Sequence, residues 1–166
     1  MEELLGVLRE EKNSYEDLLA LTDSKRDAIV HNKLDILEQV TEKEESISSV
    51  LKNLEKKRLR VLKDMAVVLG HDGEELTVTQ MIELLDKQPE EQKKLTAARD
   101  ELVEAASKMQ FMNQQNQILL NQALEMVEFD LTLFKSLRQA PETGNYDRNA
   151  GSTGDLLGQG GFDAKQ

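Results

Sequence analysis

The chain has 166 residues and a formal net charge of −11 at pH 7; 32% of its residues are charged and only 4% are aromatic. This composition is typical of long solvated helices rather than of a β-sandwich or barrel. The acidic balance argues against nucleic-acid binding and against docking on anionic lipid, because both depend on Lys and Arg. With no cysteine and only His31 and His71, we expect no metal, no cofactor and no catalytic site.

The sequence also lacks the marks of a membrane or exported protein. No apolar run approaches the roughly 20 residues that a membrane span needs. The chain starts with the acidic residues Glu2 and Glu3 rather than with the basic stretch of a secretory signal. We therefore expect a cytoplasmic protein without stable membrane insertion.

The first predicted helix runs from about Glu2 to Val30 and has a somewhat irregular apolar stripe on one face. Asn32 can adopt the left-handed conformation that ends a helix. Asp35 and Glu38 have the spacing of a capping box, which predicts the start of the second helix. Because the connection is short, the two helices should lie antiparallel.

The second helix shows a three-four repeat in which eight of ten positions are apolar, as in a coiled coil. Glu44 and Arg58 interrupt it; a charged pair across the bundle is one interpretation, and side chains reaching solvent from its edge are the favoured one. Gly70 and Gly73 predict the end of the helix because Gly tolerates positive φ. The repeat consists of Leu37, Val40, Glu44, Ile47, Leu51, Leu54, Arg58, Val61, Met65 and Val68.

Thr77 and Gln80 have capping-box spacing and predict a short third helix that ends before Pro89. Pro89 is favourable in a first helical turn and is followed by acidic residues, so it predicts the start of the last helix, about Glu90 to Arg138. The three-four repeat continues throughout this helix, with eleven of thirteen positions apolar. They are Leu95, Ala98, Leu102, Ala105, Met109, Met112, Asn116, Leu119, Ala123, Met126, Asp130, Leu133 and Leu137.

The apolar face of the last helix widens between Ile118 and Leu137. If this helix returns antiparallel to the second, its final dozen or so residues extend past their partner. A second apolar stripe beside the repeat then needs something to pack on. Cover by the first helix in a three-helix bundle, a groove for an amphipathic partner helix, and self-association remain open. The second stripe consists of Leu120, Leu124, Val127, Leu131 and Phe134.

Polar residues on this helix indicate which parts of it are buried and which are exposed. Asn113 and Asn116 share a face, and a polar residue at the repeat position of Asn116 often sets helix register. The alternative is that both amides bond carbonyls at the end of a partner helix. Asp130 would be costly to bury without a partner, so it favours exposure of this end of the helix.

The chain divides into a predicted helical domain, residues 1–138, and a Gly-rich tail, residues 139–166. Six of the nine glycines lie at or beyond Gly144, and the tail has no sustained periodicity. It cannot bury enough apolar surface to offset its ordering entropy, so we predict a disordered tail. The sequence thus predicts an all-α protein: an elongated antiparallel bundle or coiled coil of three long helices and one short helix.

Several stretches share features with one known family. Met112–Leu124 resembles the Leu-Asn-x-x-Asn-x-x-Leu-Leu signature in the last helix of the FlgN family of flagellar type III export chaperones. Thr41–Arg58 is similar to the second helix of that family, and Leu76–Ile82 to its short capped helix. Tyr146–Gly151 resembles the tail motif of a Tyr followed by Gly, although Asp147 stands where many members have Gly.

The resemblance implies an ATP-independent chaperone that binds the C-terminal helical segment of hook–filament junction proteins, the FlgK and FlgL classes. It also implies delivery of this client to the cytoplasmic domain of the export gate, with Tyr146 in gate docking. The competing hypothesis is a structural homodimeric coiled-coil adaptor. The predicted client-binding residues are Asn113, Asn116, Leu119, Leu120, Ala123, Leu124, Val127, Leu131 and Phe134.

Overall fold

The computed structural model describes residues 1–71 and 73–139. Within these ranges the chain forms four helices and no strand, which confirms the predicted all-α class with three long helices and one short one. The predicted tail lies outside the described residues from residue 140 onwards. The helices are α1 (Glu2–Val30), α2 (Leu34–Val68), α3 (Val78–Leu84) and α4 (Pro89–Gln139).

The chain divides into two compact units, Met1–Met126 and Val127–Gln166. The first unit contains α1, α2, α3 and most of α4. Of the second unit the structure describes residues 127–139, which we call the C-terminal segment of α4. The two units are described separately below.

A tight turn joins α1 to α2. Asn32 has a φ of 53°, which confirms the predicted left-handed residue. The N–H of Lys33 donates to the Ala28 carbonyl at 2.8 Å, and the N–H of Asn32 donates to the Ile29 carbonyl at 3.3 Å. These two bonds form a Schellman motif, which satisfies carbonyls at the end of α1.

The predicted start of α2 at Asp35 is wrong. Lys33 closes the turn and is also the N-cap of α2, whose first helical residue is Leu34. The Lys33 carbonyl already accepts the first helical bond, from the N–H of Leu37. Asp35 therefore lies inside the first turn, where its negative charge complements the helix dipole instead of capping it.

Two ion pairs set the register of α1 against α2. Lys25 Nζ lies 2.7 Å from Glu44 Oε2, and Arg58 Nη1 lies 3.2 Å from Glu11 Oε2. Since the later α1 residue pairs with the earlier α2 residue, the helices are antiparallel, as predicted. The favoured prediction that Glu44 and Arg58 reach solvent is wrong, because each pairs with a residue of α1.

The Glu11 carboxyl is the most deeply buried member of these pairs. Burial raises the pKa of this carboxyl above its ordinary value, and the neighbouring Arg58 charge acts in the opposite direction. Since the pKa is raised in spite of Arg58, desolvation of the Glu11 carboxyl outweighs the attraction of its partner. The pair therefore fixes helix register more clearly than it adds stability.

A second Schellman motif ends α2. The N–H of His71 donates to the Ala66 carbonyl at 2.9 Å, and Gly70 has a φ of 81°. This confirms the predicted Gly-based end of the helix. Val68, the last position of the predicted repeat, is 85% exposed, whereas Leu62 and Ala66 are buried.

The capping box of α3 forms as predicted. The Gln80 N–H donates to Thr77 Oγ1 at 3.2 Å, and the Thr77 N–H donates to Gln80 Oε1 at 2.8 Å. With its start fixed in this way, α3 places Met81 in the apolar core, where it is completely buried. The buried members of this core are Leu4, Leu5, Leu8, Val61, Leu62, Met81, Ile82, Leu85, Leu95 and Leu102.

Within the first unit, α4 packs alongside α1. Lys12 Nζ lies 3.0 Å from Glu101 Oε2, and farther along both helices Asn116 Nδ2 donates to the Thr22 carbonyl at 3.1 Å. The two helices therefore run parallel, and α4 runs antiparallel to α2, as the sequence predicted. The first unit is thus a three-helix bundle with α3 packed on its apolar core.

Candidate functional site

The two asparagines of α4 lie in different environments. Asn116 is 2% exposed and donates to the Thr22 carbonyl, whereas Asn113 is exposed. Asn116 Oδ1 has no hydrogen-bond partner among the residues that the structure describes. Burial and the bond to α1 support the interpretation that Asn116 sets register, and leave Asn113 accessible to a partner.

The predicted site residues nearest the bundle are only partly accessible. Leu119, Leu120 and Ala123 are half-buried in the first unit. Leu124 is exposed, although it belongs to the same predicted stripe as Leu120. The apolar surface of α4 within the first unit thus changes from partly covered to open between Ala123 and Leu124.

The C-terminal segment of α4 carries the remaining predicted residues. Val127, Leu131 and Phe134 are 48%, 54% and 65% exposed. Their spacing of four and then three residues places them on one face of the helix. All side chains from residue 127 to 138 are exposed, so nothing that the structure describes covers this face.

A second apolar stripe follows the opposite edge of the same segment. Phe129, Leu133 and Leu137 recur every four residues, and all three are exposed. Leu133 and Leu137 belong to the predicted repeat of the last helix. Phe129 was not predicted, because it fits neither that repeat nor the second apolar stripe. Its spacing from Leu133 and Leu137 was the available signal.

Polar side chains mark the remaining surface of the segment. Asp130 lies between the two stripes by helical spacing and is exposed, which confirms the expectation drawn from the cost of burying it. Glu128, Thr132 and Lys135 share the side away from both stripes. The segment is therefore an amphipathic helix whose apolar side no described residue covers, a surface suited to an amphipathic partner.

The first unit offers weaker candidates. Two shallow grooves of about 390 and about 340 Å³ both have Tyr15 and Leu51 in their lining. Lys52 and Glu55 line the first, together with the ion-paired residues Glu11 and Arg58. Since these four charged residues line the first groove, it offers less apolar contact than the C-terminal segment.

The described residues lack two features of a chemical or membrane site. Over residues 1–71 and 73–139, no cluster of three or more His, Cys, Asp or Glu side chains could hold a metal ion. None of the described helices combines the length and apolar character needed to cross a membrane. The predicted gate-docking residue Tyr146 lies outside the described residues.

Comparison with known proteins gives one family. The family model described as FlgN protein matches residues 1–154. No curated protein and no solved structure matches the chain. The match spans all four helices, and thus both the bundle and the exposed apolar segment.

Proposed function

The chain belongs to the FlgN family, whose members are flagellar export chaperones, and from this premise we propose that it binds the C-terminal amphipathic helical region of hook–filament junction proteins. The clients are of the FlgK and FlgL classes. The chaperone delivers them from the cytoplasm to the cytoplasmic domain of the type III export gate, without a cofactor. The family is one of chaperones rather than of enzymes.

The observation that carries the proposal is the uncovered apolar side of the C-terminal segment. An amphipathic client helix that packs on Val127, Leu131 and Phe134 removes apolar area from water, which is worth about 25 cal/mol per Å². The client segment must also become ordered, which costs several kcal/mol. The result is a modest affinity, which suits a client that must be released for export.

The predicted site residues have different parts in this proposal. Exposed Asn113 and Leu124 contact the client from the first unit, where half-buried Leu119, Leu120 and Ala123 support them. Asn116 donates a hydrogen bond to α1 and so sets the register between α1 and α4 instead of contacting the client. Tyr146 is proposed to dock at the gate, since an isolated aromatic side chain provides large contact area at low entropic cost.

A homodimeric adaptor is the second candidate function, favoured by the same exposed stripe. In that case Val127, Leu131 and Phe134 of two copies pack together, and no client surface remains. The two candidates differ in mass. The chaperone is a monomer of 18.8 kDa at micromolar concentration in light scattering, whereas the adaptor is a dimer.

Calorimetry tests the proposed function directly. Peptides from the C-terminal regions of both junction-protein classes are titrated into the wild-type chain and into the Leu131→Ser/Phe134→Ser variant. We expect micromolar binding to the wild type and at least tenfold weaker binding to the variant, because the variant loses two apolar contacts.

Phe111→Ser is the matched control, because Phe111 is a similarly exposed aromatic residue of α4 outside the proposed site. We expect its affinity to stay within about twofold of the wild type. Circular dichroism verifies that all variants remain equally helical. No binding of either peptide to the wild type at tens of micromolar, or equal loss in both variants, rejects the proposal.

A further inference from the structure

The uncovered apolar segment is followed directly by 27 residues of the same chain, 140–166. These residues are rich in Gly and polar side chains, but three large apolar residues lie close together near their end. They are Leu156, Leu157 and Phe162. An apolar face that no described residue covers and a tethered apolar sequence are thus neighbours in the chain.

We propose that residues 156–162 dock on Val127, Leu131 and Phe134 when no client is bound. The docked tail is an intramolecular competitor of the client, so this inference rests on the proposed function for its biological role. The contact itself is a property of the free chain and can be tested without a client.

The length of the connection suits this contact. The helix rises about 18 Å from Val127 to Gln139. Sixteen residues, 140–155, link Gln139 to Leu156, and three of them are Gly. A random-coil chain of this length has a root-mean-square span of about 22 Å, which is enough to reach back to the middle of the segment without stretching.

Tethering also favours the tail over a second copy of the chain. A linker whose span matches the distance gives an effective concentration in the millimolar range. A second copy must bind at its actual concentration through a helix of about a dozen residues, whereas a stable interface usually has about 20–30 residues on each side. The tail can therefore bind the stripe through weaker contacts than a second copy of the chain would need.

Charge does not oppose the contact. In the segment Glu128 and Asp130 are balanced by Lys135 and Arg138. The 27 following residues carry four acidic and two basic side chains, which gives a net charge of −2. Since one partner is neutral, apolar contact decides the affinity.

Docking of this kind lowers the apparent affinity for a client by the fraction of chains with an open face. A client helix that covers both the stripe of Val127, Leu131 and Phe134 and the stripe of Phe129, Leu133 and Leu137 buries more area than the short tail segment. It therefore displaces the tail, while the free chaperone keeps the first stripe covered.

The absence of cysteine allows a direct test on the full chain. A nitroxide on Gln159→Cys should broaden the backbone NMR signals of Val127, Leu131 and Phe134 at least twofold more than those of Val103 and Phe111. The same label in the Leu156→Ser/Leu157→Ser/Phe162→Ser background should leave all five signals equally sharp. A control background, Asn149→Ser/Gln166→Ser, should keep the selective broadening.

A mixed sample identifies the occupant. When the nitroxide is on one copy and the isotope label on another, selective broadening should disappear; persistence assigns the stripe to a second copy and overturns the inference. Equal sharpness of the five signals in the labelled single chain overturns it as well.

Client affinity provides the separate readout. We expect the triple-Ser tail variant to bind the junction-protein peptide about 3–10-fold more tightly than the wild type. Selective broadening without peptide binding by any variant supports tail docking and rejects the proposed function. Peptide binding without broadening, and with equal affinities, supports the function and rejects tail docking.

Discussion

Leu4, Leu8 and Leu95 in the first unit are almost completely buried, whereas Leu131, Phe134 and Leu137 in the C-terminal segment are more than half exposed. Both sets occur at helical spacing in strongly helical sequence, so local pattern does not distinguish them. The difference is that α1, α2 and α3 supply partners to the first set, and no described residue supplies them to the second. An apolar repeat therefore specifies a helix and its apolar face, but not what covers that face.

The largest difference between the two regions is expected when one leucine in each is truncated. Leu95→Ala should lower the free energy of unfolding by about 3–4 kcal/mol, because it leaves a cavity in a packed core. Leu131→Ala should change it by less than about 0.5 kcal/mol, because its side chain is already exposed. Urea unfolding measures both, and comparable losses would show that Leu131 is packed as tightly as Leu95.

The two asparagines of α4 show the same contrast for polar side chains, since Asn116 is buried and Asn113 is exposed. Asn116→Asp removes the amide donor to the Thr22 carbonyl and places a carboxylate in a buried position, so we expect a loss of about 2–3 kcal/mol at pH 7. Burial raises the pKa of such a carboxyl, so protonation offsets the loss as the pH falls. Chemical denaturation between pH 4 and pH 7 measures this trend.

Asn113→Asp is the matched control because Asn113 is exposed on the same helix. Its effect should stay within about 0.5 kcal/mol at each pH. If both variants lose the same stability, the buried bond of Asn116 does not set register, and the assignment of different roles to the two asparagines is wrong.

Features that depend on residues close together in the sequence were easier to predict than contacts between different helices. The C-terminal ends of α1 and α2 and the start of α3 depend on residues within one turn, so Asn32, Gly70 and Thr77 were recognisable, although the same kind of local signal misplaced the start of α2 at Asp35. The partners of Glu44 and Arg58 lie on α1, 19 and 47 positions away, and a one-helix pattern does not identify them. Their assignment to solvent failed for that reason.

The candidate site was predictable to a similar degree. The excess of apolar residues near the end of α4 predicted an uncovered stripe that includes Val127 and Phe134. The burial of Asn116 was open, because it depends on contact with Thr22 of another helix. Phe129 was missed because it belongs to neither repeat, although it is among the most exposed aromatic residues described.

Removing Arg58 from the Glu11–Arg58 ion pair should have a smaller effect on stability than the core and Asn116 substitutions. Arg58→Met should cost about 2 kcal/mol at pH 7, because it leaves the buried Glu11 carboxylate without its partner. The pKa of Glu11 in the folded state is already raised by burial, so protonation favours folding. The loss should therefore shrink as the pH falls through that raised pKa.

Arg60→Met is the control for this pair because it removes the same charge from an exposed position of α2. We expect an effect below about 0.5 kcal/mol with no comparable pH dependence. Urea midpoints from pH 4 to pH 8 measure both variants. A loss in Arg58→Met that grows on acidification would show that Glu11 is not the carboxyl left behind.

The smallest expected loss of stability distinguishes the starts of α2 and α3, which both have capping-box spacing in the sequence. Thr77→Ala removes the side-chain acceptor for the Gln80 N–H and should cost about 1 kcal/mol. Asp35→Ala should cost only a few tenths of a kcal/mol, because Asp35 caps nothing and retains only its favourable position near the dipole. If urea unfolding gives equal losses, Asp35 caps α2 in solution, and the Schellman closure at Lys33 is not the dominant conformation. If Thr77→Ala costs nothing, α3 is held by the burial of Met81 alone, which would make core packing, rather than capping, the cause of its start.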